Sequence, residues 1–552
     1  MNHLKNVLAH LSRAERKWAI AALMIFCISS LGRGAFAVYE NSAFVPVQGG
    51  IYREGLVGQP IALNPILSPN QIDQDLSALL FEKLKKIADH IEVADDYKTY
   101  TIKLKEDLRW SNGQLLSSDD IIFTIRTIQD PETRSPLAKN WQGVIVERIS
   151  ALQTKLILPT PFVFFKDNIE NLRIIPKHIF SAIPPANLRL SAYNLEPVGS
   201  GPYRFEKLEK RKDGFITEIR ISRNPEYAGE KPFIENFTFS YFSSQEELLD
   251  AFRLRDIDGF GSLTPIAKDA RLSNAVTERI PMPRYYALFF NTVNNALLDE
   301  PRLREALALA IDTEAMTKNI FGDQATPLQG PVFLNLIQTN VASAESAKQN
   351  SVFDPEKARN ALAELGAQDI VLNLTVPNVE FLRPVIEEIR KAWQAVGVRE
   401  VNSITLGPEE LVSDVLKTRS YEILLFGNVF ENPADLFPFW HSSQRFYPGL
   451  NLSLYQNATV DRLIEETRQG EETREQTLEY LQGINKIITQ DRPAIFLFSL
   501  PYFYVHREKL GGFRQALFTT PADRFANVTD WYVITARVIE TEKPLDNKIR
   551  GR

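Results

Sequence analysis

The stretch PVGSGPYRFEKL, residues 197–208, sets Gly199 and Gly201 around Ser200, a spacing that could cradle a phosphate. A dinucleotide fingerprint needs a third glycine three residues on and a helix whose N-terminus faces the phosphates. Here Pro202, Tyr203 and Phe205 follow. The run GPYRFEKLEKRKDGFITEIRIS alternates as a strand, turns at Asp213-Gly214 and alternates again. The glycines therefore read as a turn feeding a hairpin. The six histidines (His3, His10, His90, His178, His441, His506) show no close ligand spacing. The single cysteine, Cys27, excludes internal disulfides and cysteine-based zinc sites. No GxSxG elbow, HExxH pair or P-loop occurs, which argues against a hydrolytic enzyme. Neither a metal nor a cofactor is expected.

A single core stops growing near roughly 250–300 residues, so a chain of 552 residues implies at least two lobes. Its apolar fraction of 44% and charged fraction of 24% are those of an ordinary folded protein. A formal charge of −6 argues against nucleic acid as partner. The N-terminus has the marks of export. Lys5, Arg13, Arg16 and Lys17 precede the apolar run WAIAALMIFCISSL, residues 18–31. That run fits either the core of a cleaved signal ending at Ala35-Phe36-Ala37 or a membrane anchor over residues 18–38, with Arg33 near the outer end. The anchor is the preferred expectation, and either reading places the folded body outside the cytoplasmic membrane. Bulky residues before Cys27 argue against lipid attachment there.

The elements follow from periodicity. In YTIKLKEDLRWSNGQLLSSDDIIFTI, residues 100–105 alternate as a strand and Asn112-Gly113 marks a turn. Ser117 with Asp120 makes a capping box before Ile121, Ile122, Ile125 and Ile128 at helical spacing. Beta-rich stretches follow, including GVIVERISALQTKLILP. From residue 284, strands alternate with helices. DPEKARNALAELG has Asp354 as N-cap, Pro355 in the first turn and Gly366 past the end. EFLRPVIEEIRKAWQAVG closes on Gly397, and YEILLFG reads as a buried strand. This alternation suggests an α/β lobe with a partly parallel sheet. AIFLFSLPYFYV is the last apolar run, leaving a tail that can return to another lobe.

In this order, several segments resemble those of the extracytoplasmic solute-binding proteins of peptide-type ABC importers, solute-binding protein family 5. They are YTIKLKEDLRWSNGQLLSSDDIIFTI, PVGSGPYRFEKL, FFNTVNNALLDEPRLREALALAIDTEAM and NATVDRLIEETRQ, and the likeness spans roughly residues 49–515. The resemblance implies an α/β, two-lobed periplasmic-binding-protein-like fold of the type II flytrap kind, with an extra inserted domain and a preceding N-terminal hydrophobic helix (1–38). Lobe I would gather 45–67, 193–283 and 512–540, the inserted domain would run over 68–192, and lobe II over 284–511. The glycine turn would then be scaffold beside the cleft. The protein would act as a monomer, catch a peptide between its lobes and pass it to an ABC permease with its ATPase subunits.

The same resemblance assigns candidate site residues and exposes departures. The segment between DLSALLFEKLKKI and ADDYKTYTIKL is shorter than in relatives. Dipeptide-binding relatives place an arginine ahead of the EFLRPVIEEI helix to clamp a ligand carboxylate; here Val376 and Asn378 stand near that place and Arg383 comes only later. That favours longer or blocked ligands. Peptide binders pair the ligand's α-ammonium with an acid in a G-W-x-x-D pattern. In GNVFENPADLFPFWHSSQ, Gly427 matches, Asn428 replaces the tryptophan and Glu431 falls at the acid, with Asp435 as the alternative. Phe430, Phe439 and Trp440 are the aromatic candidates for ligand contact, while aromatics such as Phe439 and Trp440 more often pack a core than line a pocket. Nickel complexes, haem or oligosaccharides are alternative cargo within the same family.

Overall fold

The structure is a computed structural model describing residues 12–40, 42–68, 70–266, 272–337, 353–367, 369–469, 474–514 and 518–539. Its first sheet has seven strands. Ile51–Val57, whose residues are mostly buried, lies inside it, parallel to Asn236–Phe242 on one side and to Gly259–Ser262 on the other. The hairpin Tyr203–Lys210 and Ile216–Arg223 forms one edge, turning through Gly214 at φ 88° as the Asp213-Gly214 pair predicts. At the other edge, Tyr502–Arg507 pairs antiparallel with Gly259–Ser262 and with Ala275–Ile280. Tyr52, Phe237, Phe525 and Trp531 pack against one another under this sheet, so the C-terminal tail completes its core.

The glycine turn is scaffold, and the backbone of another segment dictates it. Gly201 N–H donates to the Leu80 carbonyl at 2.9 Å, the Ser111 N–H donates to the Gly199 carbonyl at 2.8 Å, and Ser200 Oγ accepts from Glu82 N–H. A Cβ on Gly199 would lie 1.8 Å from the Leu80 carbonyl oxygen, and one on Gly201 2.4 Å from that of Leu79. Neither glycine is among those with positive φ. Close approach of two backbones requires glycine here, where a turn conformation was the expected reason.

Leu79 and Leu80 end the helix Gln71–Leu80, which opens the inserted region. Beyond it lies a four-stranded antiparallel sheet in the order Ala88–Val93, Thr99–Leu104, Gln153–Ile157, Ile145–Ser150. The helix Ser118–Gln129 covers this sheet, started by the Ser117–Asp120 capping box. Its buried isoleucines, Ile121, Ile125 and Ile128, face the core as their spacing predicts.

The second large sheet runs Thr326–Pro327, Ala494–Ser499, Arg284–Phe290, Ile423–Val429, Val371–Pro377, Glu400–Leu406. Its last three strands are parallel and the others antiparallel, a partly parallel sheet as the alternating pattern suggested. Asp354 caps the helix Pro355–Glu364, and Gly366 follows it with φ 63°. The run AIFLFSLPYFYV is not one element of this lobe. It breaks at Leu500-Pro501: Ala494–Ser499 belongs to the second sheet, whereas Tyr502–Arg507 has returned to the first. The crossing expected near residue 512 therefore lies at 500–501, where Pro501 interrupts the pairing.

The N-terminal segment is helical, Arg13–Glu40, with Trp18, Phe26 and Leu31 exposed. Among the described residues no helix is long and apolar enough to cross a membrane. The charge-free run between Lys17 and Arg33 covers only about 22 Å at ~1.5 Å per residue, against a hydrocarbon core of ~30 Å. The expected anchor over residues 18–38 is corrected accordingly: Arg33 interrupts it too early. Past this helix, Ser42–Pro46 pairs antiparallel with Thr535–Ile539, tying the two ends of the body together.

Arg524 in the tail has no exposed side-chain surface. Its Nε donates to Glu54 Oε1 at 3.1 Å, its Nη2 to Asp75 Oδ2 at 2.7 Å, and its Nη1 to the Pro521 carbonyl. Tyr504 donates to Glu54 Oε2 at 2.9 Å. Burial works against the guanidinium's charge, but Asp75, Tyr502 and Glu54 outweigh it and raise its pKa. On Glu54 burial prevails over Arg524 and pushes the carboxyl up.

Two stability predictions follow from these contacts. Gly201→Val should lower the melting temperature measured by circular dichroism, with a packing cost of about 1–3 kcal/mol or more; an unchanged melt would remove the close-approach argument. Arg524→Met should cost about 3–5 kcal/mol by stranding two buried carboxylates, and adding Glu54→Gln and Asp75→Asn should recover part of it. Urea unfolding of the single and triple variants checks the ordering.

Candidate functional site

Two strands of chain join the lobes, at 281–283 and 500–501, and one side chain binds them together. Arg284, only 4% exposed, begins the strand Arg284–Phe290. Its Nε donates to the Leu500 carbonyl at 2.6 Å, and its Nη2 to the carbonyls of Leu263 and Pro501 at 2.7 and 2.8 Å. Burial lowers its pKa to about 10, so it remains charged. Leu263 belongs to the first lobe, Leu500 and Pro501 to the crossing and Arg284 itself to the second lobe, so one side chain pins the pivot point at which the lobes are joined.

The strand Ile423–Val429 reaches that pivot. Val429 pairs with Arg284, and Phe430 N–H donates to the Pro283 carbonyl at 2.8 Å. Glu431 therefore emerges where the lobes meet. It is exposed, yet surrounding protein raises its carboxyl, with Asp435 adding a like charge. The ENPAD loop is built by Asn432, whose Oδ1 accepts from Ala434 N–H at 2.9 Å. Asp435 is more enclosed and already engaged. It accepts from Phe437 N–H at 3.2 Å and pairs with Arg468 at 3.5 Å. Burial raises its carboxyl against the pull of Arg468.

Other candidate residues fall elsewhere. Phe430 has no exposed surface and packs on Tyr285, Phe333 and Phe439, with the last ring centroid at 4.3 Å. Trp440, 1% exposed, sits against Phe289 and Phe496 in the same core. Asn428 is buried and donates to the Tyr285 hydroxyl at 3.1 Å, so it supports the core where a tryptophan was expected. In this structure all three pack within the second lobe instead of lining an open surface, and in the register with Arg284–Phe290 Asn428 points to the Tyr285 side of the sheet. Phe439 belongs there too. Val376 is fully buried. Arg383 is exposed at the start of the helix Arg383–Ala395, on the edge of the sheet that the parallel neighbour Ile423–Val429 also leaves. Of the six candidates, Glu431, Asp435 and Arg383 stay on that edge.

Sequence reasoning missed the residues that surround these acids. Asn432 Nδ2 donates at 2.7 Å to Asp167 of the inserted domain, and Val163 N–H donates at 2.9 Å to the Arg468 carbonyl. The Arg468 guanidinium lies 4.2 Å from the ring centroids of both Phe162 and Phe437. Nearer the pivot, the Gln324 side chain exchanges two hydrogen bonds with the Ile266 backbone across the lobes. A cavity of about 110 Å³ in the second lobe, lined by Thr313, Gln329 and Arg492 among others, touches neither acid. Phe430→Ala should lower the calorimetric melting of the second lobe at a cost of about 3–5 kcal/mol without altering ligand choice. An unchanged melt with altered ligand choice would return Phe430 to the site.

The comparisons with known proteins agree on the family. The profile described as "Bacterial extracellular solute-binding proteins, family 5 Middle" matches residues 84–446, more than half of the chain. The chain is 23% identical over 554 residues to the oligopeptide-binding protein AppA of Bacillus subtilis (strain 168), covering 93% of this chain and 97% of that protein. The solved structure of Bacillus subtilis AppA with a nonapeptide matches with a TM-score of 0.69 at 21% identity, covering 89% of this chain and all of the other. NikZ from Campylobacter jejuni, solved with Ni(L-His), matches with the same TM-score at 20% identity, over 87% of this chain and 99% of the other. By that profile match over more than half of its length, the chain belongs to the bacterial extracellular solute-binding proteins, family 5.

Proposed function

We propose that this protein is the extracytoplasmic solute-binding component of an ABC importer. It catches peptides, oligopeptides above all, between its lobes and delivers them as a monomer to a permease with its ATPase subunits. A ligand that touches both lobes binds the closed form better and shifts the hinge equilibrium toward it. The membership shown above and the oligopeptide-binding relative support this reading. The basic residues and apolar run at the N-terminus suit export, in keeping with the family's extracellular description.

One observation carries the peptide reading. Glu431 forms no ion pair among the described residues, whereas Asp435 already pairs with Arg468 at 3.5 Å. An ammonium that loses water as the lobes close requires a carboxylate partner, and Glu431 is the one still available. Arg383 is too exposed at its helix start to act as a buried clamp, so a free ligand carboxylate has no enclosed partner there. Extended peptides held through main-chain hydrogen bonds fit such a site. The nickel–histidine complex in NikZ, on the same fold, keeps a metal complex as the second reading.

Titration calorimetry tests the assignment. Glu431→Gln should weaken peptide binding by about 30-fold or more, the lower end for removing one partner of a desolvated pair. N-acetylated peptides should bind the parent poorly. Burial raises the Glu431 carboxyl, so affinity should be present above that raised pKa and decline as pH falls through it, starting at a higher pH than for an ordinary glutamate. Equal affinity for acetylated and free peptides, with Glu431→Gln and Asp435→Asn both intact, would end the amine-anchor reading. Native mass spectrometry then separates the cargo: peptides leave a ladder of masses, a metal complex a single increment.

A further inference from the structure

The inserted domain meets the second lobe through one group of contacts at the margins of the two cores: Phe162 packs on the first core, Phe437 and Phe164 on the second. Arg468, on the helix Ala458–Gln469, lies between the Phe162 ring from the inserted domain and the Phe437 ring from the second lobe, 4.2 Å from each centroid. Asp435 holds the same guanidinium at 3.5 Å. The backbone bond from Val163 to the Arg468 carbonyl and the Asn432–Asp167 bond, 2.9 and 2.7 Å long, flank this sandwich. Further along, Lys139 donates to Gln444 at 3.3 Å. Arg468 and Asp435 are a quarter or less exposed, so the contact excludes much of the water that would weaken it.

We infer that this group is a latch: Arg468 is a positioning residue that draws the inserted domain onto the second lobe when the trap closes and holds Asp435 away from the ligand. Three features carry the inference. The contacts run between the inserted domain and the second lobe, with Phe164 packed on the second lobe's core beside them, so opening the pivot must break them. The cation lies between two rings, one from each body, a geometry that exists only when the bodies are together. Asn432 is the residue next to Glu431, so the latch fixes the loop that presents the ligand acid. Closure would then draw on contacts within the protein as well as on the ligand, and the inserted domain would be a jaw of the trap. A protein latched in this way has a populated closed form before ligand arrives.

The inference rests on the ligand-trap reading for its purpose, but its test needs no ligand. Spin labels at Lys166→Cys and Arg462→Cys, in the full chain with Cys27→Ser, report the distance between the inserted domain and the Arg468 helix by double electron–electron resonance. Both sites are exposed and outside the latch. The ligand-free parent should show a short-distance population. Arg468→Gln and Phe162→Ala should each move that population to longer distances, and the double variant should go little further, since both act through one contact. Arg468→Lys should also lengthen it, because an ammonium lacks the planar face that fills the space between the rings. A parent without the short population, or unchanged distances in Phe162→Ala and Arg468→Gln, would overturn the latch. Should Arg468→Gln fail to fold, Phe162→Ala decides alone. Failure of the peptide assays leaves this readout untouched.

Discussion

A fully buried guanidinium facing two carboxylates from distant parts of the chain sets the mechanical layout of this protein. Arg524 comes from the tail, Glu54 from the first strand of the large sheet, and Asp75 from the helix that opens the inserted domain. Pulling any one of them away would leave charge stranded without water, at a cost comparable to a large share of the stability of a typical domain. The glycine turn reinforces the same union, since residues 199–201 lie directly against the Leu79–Leu80 backbone. First lobe, inserted domain and tail are thereby held as one body. The second sheet is joined to this body only through the paired crossing at 281–283 and 500–501.

Much of this was legible from local pattern, and the gaps have a common cause. Helix starts carried their own signals: Ser117 with Asp120, and Asp354 before Pro355, each cap the helix they were assigned to. The hairpin around Gly214 and the partly parallel second sheet follow from periodicity in the same way. The split of AIFLFSLPYFYV between two sheets did not, because both halves are equally apolar and only tertiary pairing tells them apart. In the candidate site, the position of Glu431 at the end of its strand was readable. The burial of Phe430 and Trp440 was not, since an aromatic near an acid looks the same in sequence whether it faces a ligand or a core. Arg284, Arg468 and Arg524 gave no warning at all. Each acquires meaning from partners tens to hundreds of residues away.

The two acids of the ENPAD loop show how neighbouring groups of one type come to differ. Both are pushed toward the protonated form by the protein packed around them, although Glu431 keeps exposed surface. Asp435 gains a cation and a backbone donor, which commits it to structure. Glu431 gains only the like charge of Asp435. Removing water from it without a partner would be costly, so closing the cleft and supplying a cation are coupled requirements. The division of labour follows from environment, four residues apart on one loop.

The acceptors chosen by Arg284 carry a further implication. All three are peptide carbonyls, and none can take up or lose a proton. A pivot built on carboxylates would loosen in acid and respond to dissolved salt. This one needs only a charged guanidinium, and the pKa of about 10 to which burial lowers it still lies above neutrality. Neutral acceptors thus leave the junction between the lobes insensitive to carboxylate titration, while the acids of the ENPAD loop beside it change their charge.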